Sequence, residues 1–151
     1  LAHEALEAHG LVALMELNAS RNRARVDSGG HPILLMDQDR GLWDTLQIRR
    51  GLEALGHARM LGGGAGFFTL QAAIAACHAR AQTPGDTDWH SIVGLYNQLS
   101  ALTHSPVIEL NRAVAVSMVS GPERALEIVA ALEDSGALKN YHLLPSVRGD
   151  L

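Results

Sequence analysis

An all-α fold of about seven helices is what this sequence predicts, and three observations carry the prediction. Apolar residues recur at i, i+3 and i+4 through most of the 151 residues. The 47% hydrophobic content is mostly Ala, Leu and Val, with only 4% aromatics and few β-branched runs, a composition that favours helix. Glycine clusters and prolines at first-turn positions punctuate the periodic segments. The exception is one short hairpin or extended insert near residues 26–36. A chain of this length normally makes one domain that buries about 70% of its unfolded surface. Residues 1–151 are therefore read as a single helical domain.

The first helix spans residues 3–20, with Leu11, Leu14 and Met15 on one face. It is expected to end at the basic cluster Arg21 to Arg25, read as a solvated helix end because cations favour a helix C-terminus. Asp27 to Gly30 is turn chemistry, and Ile33 to Met36 is a short apolar run packed on the helices. Gly41 to Met60 is helical again, with Ile48, Leu52 and Leu55 in register, and stops at Gly62-Gly63-Gly64-Ala65-Gly66. The next helix carries Phe67, Leu70, Ile74 and Cys77 on a stripe whose neighbouring alanines allow close approach.

Gln82 to Asp86 is a loop, and Asp86, Thr87 and Asp88 are candidate caps for a helix facing the core through Ile92, Leu95, Leu99 and Leu102. Ser105-Pro106 begins another helix, in which serine caps the free amides and proline has no N–H to waste; Leu110, Val114 and Met118 are its expected core face. Ser120 to Glu123 repeats that signal ahead of a stripe of Ala125, Ile128, Val129 and Leu132, ended by Ser135-Gly136. Tyr141 to Leu151 reads as the start of a last helix. Leu102 has a counterpart in Leu132, and Leu110 in Leu143 or Leu144, at an interval close to the tetratricopeptide repeat. The expected architecture is thus a tetratricopeptide-like helical-repeat array.

The net charge of −4 argues against a nucleic-acid module, which needs a basic face to replace counterions on phosphates. The single Cys77 excludes an intramolecular disulfide and lies in an apolar run, so it reads as a buried, inert thiol. No signal peptide opens the chain and no apolar run approaches the ~20 residues of a membrane span. A cytoplasmic protein without a membrane partner is expected. The chain opens without Met inside a helical pattern, as a piece of a longer protein would.

Chemistry-bearing patterns are sparse. Eight histidines are scattered with no pair three or four apart, the spacing a helical metal site needs. The glycine run lacks the Lys-Ser/Thr of a phosphate loop. No nucleophile–base pair is legible, and no cofactor or metal is expected. Trp89 and Tyr96 share a helix face, as core aromatics or as the lining of a groove. The densest cluster is Asp37-Gln-Asp-Arg-Gly-Leu-Trp-Asp44, with three carboxylates, a guanidinium and a tryptophan in eight residues. It lacks the ligand pattern of a calcium loop. A salt-bridged helix cap involving Arg40, with Trp43 as an anchor, is its structural reading.

Several segments resemble, in order, the C-terminal extension of a subgroup of bacterial extracytoplasmic-function sigma factors. They are Gly10 to Leu17, Asp37 to Arg40 with Trp43-Asp44, Leu70 to His78, Asp86 to Trp89, Ser105 to Val107 with Leu110 to Ala115, and Tyr141 to Pro145 with Val147 to Gly149. The resemblance implies a tetratricopeptide-like regulatory domain of a protein that directs transcription initiation. The regions that bind promoter DNA and core RNA polymerase in such proteins are absent from these residues. The implied partners are those DNA-binding regions of the same protein, core RNA polymerase or an unidentified protein, with promoter DNA reached only through the missing regions. No catalysis is expected. Two contact patches are singled out: Asp37, Asp39, Arg40 and Trp43, and Asn111, Arg112, Tyr141 and His142. The rival reading is a small-molecule sensor or small enzyme with Asp37 and Asp39 as the polar groups of a pocket between the insert and the helices.

Overall fold

Among the residues described by the computed structural model, 2–62 and 64–136, all the regular elements are helical. The α-helices are α1 (Ala2–Ala19), α2 (Thr45–Met60), α3 (Phe67–Arg80), α4 (Trp89–Leu102), α5 (Pro106–Ser120) and α6 (Pro122–Asp134). The expected helix over Tyr141–Leu151 lies outside the described residues. The chain divides into two compact units, residues 1–88 and 89–151.

In the first unit, α1 packs against both α2 and α3, and α2 meets α3 less extensively. The packing is built on small residues. Gly10, Ala13 and Leu17 form the buried stripe of α1, with Ser20 buried just beyond its end, so Leu11 (37% exposed) and Met15 (61% exposed) lie outward, not on the core face that hydropathy alone suggests. The reason is distance between helix axes. A Cβ on Gly10 would stand 2.8 Å from the backbone nitrogen of Thr69 in α3, and one on Gly51 would stand 2.6 Å from Cγ of Leu17. The helices touch at backbone range, where Leu and Met do not fit. Across the seam α3 offers Thr69, Leu70, Ala72, Ala73, Ile74 and Ala76, all buried, while Phe67 is exposed.

The expected hairpin or extended insert is a tight loop closed by one isolated antiparallel bridge between Val26 and Pro32. Asp27 organises it, its carboxylate accepting from the amides of Gly29 and His31, both at 2.9 Å. The glycine run separates α2 from α3 as expected. The start of α3 has no local side-chain cap. Glu7 of α1 supplies one instead, its Oε2 accepting from the Phe68 amide at 3.0 Å. A carboxylate there satisfies an orphan N–H and meets the positive end of the helix dipole.

In the second unit, α5 packs against α4 and α6. Leu110, Ala113, Ala125 and Val129 form its buried cluster, with Ile128 and Leu132 packed against it, so the α6 stripe lies as expected. On α5 the core face is Leu110, Ala113 and Ala115, while Val114 and Met118 (54% exposed) turn outward. On α4, Ile92 and Leu99 are buried and Leu102 is 55% exposed, so Leu102 and Leu132 are not equivalent. Ser105 precedes α5 without a side-chain cap bond, although Pro106 holds the first position as expected.

Candidate functional site

The segment from Asp37 to Asp44 folds as a framework with an inner and an outer face. Two short 3₁₀ turns, Leu35–Asp37 and Arg40–Leu42, carry it from the insert to α2. Asp39 Oδ1 accepts from the Gly41 amide at 2.9 Å and starts the second turn. Asp44 Oδ1 accepts from the Gln47 amide at 3.0 Å and caps α2. The Asp44 amide donates to the Ser20 carbonyl at 2.8 Å, tying the segment to the end of α1. Local capping chemistry thus claims two of the three carboxylates.

The inner face is fixed by Trp43, which is 7% exposed. Its indole N–H donates to Gln38 Oε1 at 3.2 Å, and Gln38 Nε2 donates in turn to the Ile33 carbonyl at 3.1 Å. The Arg40 guanidinium lies 4.4 Å over the Trp43 ring, within cation–π range. Arg40 Nη1 donates to the carbonyls of His78 at 3.0 Å and Ala81 at 2.9 Å, two acceptors at the C-terminus of α3. Arg40 is therefore a cap, but of a helix about 40 residues further along and without a carboxylate partner. The salt-bridged cap of the sequence reading is replaced by charge-to-carbonyl bonds.

A cationic surround follows. The turn containing Asn22–Ala24 touches the turn containing Arg40. Arg25 Nη2 donates to the Asn18 carbonyl at 2.7 Å, closing the end of α1, and Arg21 Nη2 donates to Asn18 Oδ1 at 3.4 Å. Burial, then Arg25 and Arg40, push the Arg21 guanidinium down to about 10. Burial, then Arg21 and Arg40, push the His78 imidazole down to about 4, so it is neutral near pH 7. Arg21 is thus half-buried among like charges, not a solvated helix end. Half-burial likewise raises the Cys77 thiol, leaving little thiolate at neutral pH.

Asp37 and Asp39 lie exposed on the outer face, while Arg40 and Trp43 face inward. In the second unit Asn111 is exposed and Arg112 is held by Glu109 at 3.0 Å and Asn97 at 3.3 Å. Glu109 also accepts from the Ser100 hydroxyl. An open groove of about 360 Å³ runs beside this network, lined by Arg112, Ile128, Leu132 and Ser135 among others. Tyr141 and His142 lie outside the described residues. Trp89 and Tyr96 are half-buried. Among the described residues, no group of three or more His, Cys, Asp or Glu side chains is placed to hold a metal ion, and no helix is long and apolar enough to cross a membrane.

Sequence reasoning missed Gln38, His78, Ser20 and Glu7. Gln38 carried a signal in its position beside Trp43 in the polar cluster. The other three act across distant parts of the chain, where no local spacing betrays them.

Residues 1–59 match the model of a family of unknown function (DUF6596); the match takes in α1, the insert, the Asp37–Asp44 segment and most of α2. A protein of Rhizobium meliloti (strain 1021), described as uncharacterized, is 47% identical over 149 residues, covering 96% of this chain and 34% of that protein. This chain thus spans about a third of the length of that relative. No solved structure matches.

Proposed function

We propose that this chain is the regulatory, non-catalytic interaction domain of an extracytoplasmic-function sigma factor, acting in the cytoplasm on transcription initiation by bacterial RNA polymerase. The ordered resemblance of its segments to that C-terminal extension supports the reading. So does a relative about three times as long, which leaves room for DNA-binding regions elsewhere in the protein. The partners are those regions of the same protein, core polymerase or a further protein.

The observation that carries the reading is the division of the Asp37–Asp44 segment. Asp37 and Asp39 stand exposed on a framework pinned by Trp43, Gln38 and Arg40. Rigidly presented surface charge is suited to partner recognition, where it sets orientation and selectivity. Asn substitution at both positions removes the charge and keeps an Oδ1 that can start the turn at Gly41. In the full-length parent protein, Asp37→Asn/Asp39→Asn is expected to change promoter activation severalfold while the melting temperature stays close to wild type, as for surface changes in general. Unchanged activation, or a loss fully explained by lower stability, counts against the proposal.

A further inference from the structure

We propose that residues 144–151 seat in the groove between α5 and α6, so that the second unit is closed by its own chain. The groove has a volume of about 360 Å³ and is lined by Glu109 and Arg112 of α5 and by Glu127, Ile128, Ala131 and Leu132 of α6. Ile128 and Leu132 pack on the buried cluster of the helix pair and also line the groove, which leaves them half-buried. In a stacked helical array such a face is what the next element covers, because one helix pair cannot bury both of its sides.

The chain leaves α6 at the mouth of this groove. Ser135 lines it, and Gly136 follows with φ +75°, its amide donating to the Glu133 carbonyl at 3.0 Å. Gly121, at φ +89°, stands in the same way between α5 and α6, and the two helices it joins pack together. A glycine at positive φ ends a helix and redirects the chain, which other residues do at a cost. Seven residues, 137–143, then lead to Leu144. Fully extended they reach about 23 Å. The 13-residue α6 is about 20 Å long, so the whole groove lies within reach.

The sequence supplies a matching face. Pro145 marks a first helical turn, as Pro106 and Pro122 do. Leu144, Val147 and Leu151 then fall at i, i+3 and i+7, on one side. Charge agrees: α6 carries Glu123, Glu127, Glu133 and Asp134 against Arg124 alone, whereas residues 137–151 carry Lys139 and Arg148 against Asp150. Opposite charges favour and orient such a pairing. A second copy of the chain offers the same segment, but a tether this short holds the chain's own segment at an effective concentration of about a millimolar.

The inference stands apart from the sigma-factor reading and adds a regulatory consequence. A partner that contacts Arg112 reaches it only by displacing the segment.

The test is methyl NOE spectroscopy on the ¹³C-labelled chain of residues 1–151. The expected result is NOEs from the Ile128 and Leu132 methyls to those of Leu144 and Val147. They are expected to vanish in Ala131→Glu, which puts a charge on the groove floor. They are expected to persist in Ala130→Glu, one position away and on a different side of α6. Both alanines are exposed, so neither charge enters the α5–α6 core. Absence of the NOEs from the wild-type chain overturns the proposal, as does their persistence in Ala131→Glu. If both variants lose them, the wild-type spectrum decides alone. Mixing labelled with unlabelled chains separates the sources: NOEs found only between copies assign the groove to a second copy and overturn closure within one chain.

Discussion

Replacing Gly10 with alanine isolates the contact that sets the spacing of α1 and α3. The new Cβ would stand 2.3 Å from Thr69 Oγ1, 2.8 Å from its backbone nitrogen and 3.1 Å from its Cα. The hydroxyl can rotate away, but the nitrogen and Cα belong to the first turn of α3 and move only if the helix moves. Overpacking of this kind costs about 1–3 kcal/mol. Against it stands a helix-propensity gain of about 1 kcal/mol for Gly→Ala in a helix interior. Because the clash is with backbone, the cost falls toward the upper end, for a net loss of about 1–2 kcal/mol. In a unit of this size that lowers the melting temperature by roughly 5 °C or more. Gly56 is the control, since a Cβ there meets nothing within 4 Å; Gly56→Ala in α2 is expected to gain about 0.5–1 kcal/mol from propensity alone. Thermal and urea unfolding of the two variants beside wild type measure the difference. Gly10→Ala as stable as Gly56→Ala would refute the close approach of α1 to α3.

Two other changes probe the same unit. Glu7→Ala removes the acceptor from the start of α3 and is expected to cost about 1 kcal/mol, with faster hydrogen exchange at the Phe68 amide; unchanged exchange there contradicts the capping role. The His78 imidazole, held near 4 in the fold, returns to about 6.5 on unfolding. Between those values the unfolded chain binds a proton that the folded chain refuses. Stability is therefore full above about pH 6.5 and declines as pH falls toward 4, by no more than about 3 kcal/mol and by less where solvent screens the ring. His78→Gln is expected to flatten that acid limb in urea titrations at stepped pH; an acid limb as steep as wild type would show that other groups cause it.

The helices were legible in the sequence because their ends are written locally. Pro106 and Pro122 sit at first-turn positions, and the glycine run stands between Met60 and Phe67. The core faces were less legible. Hydropathy marks Leu11, Met15, Val114 and Met118, but the seams run through Gly10, Ala13, Gly51 and Ala113, where smallness and not hydrophobicity is selected by the distance between backbones. At the candidate site, the capping roles of Asp39 and Asp44 follow from local spacing. The partners of Arg40 at residues 78 and 81 do not, because a main-chain carbonyl carries no side-chain signature. Glu7 escapes for the same reason, its partner being an amide 61 residues away.

The proposed role is tested most directly by in vitro transcription with the full-length sigma factor proposed to contain this chain. Purified core RNA polymerase and a promoter selected for the proposed factor are supplied, and the intact protein is compared with a form lacking residues 1–151. The expected result is promoter-specific transcript whose amount changes severalfold when these residues are removed. Transcript that is absent with both forms, or identical with both, would contradict a regulatory role in transcription initiation.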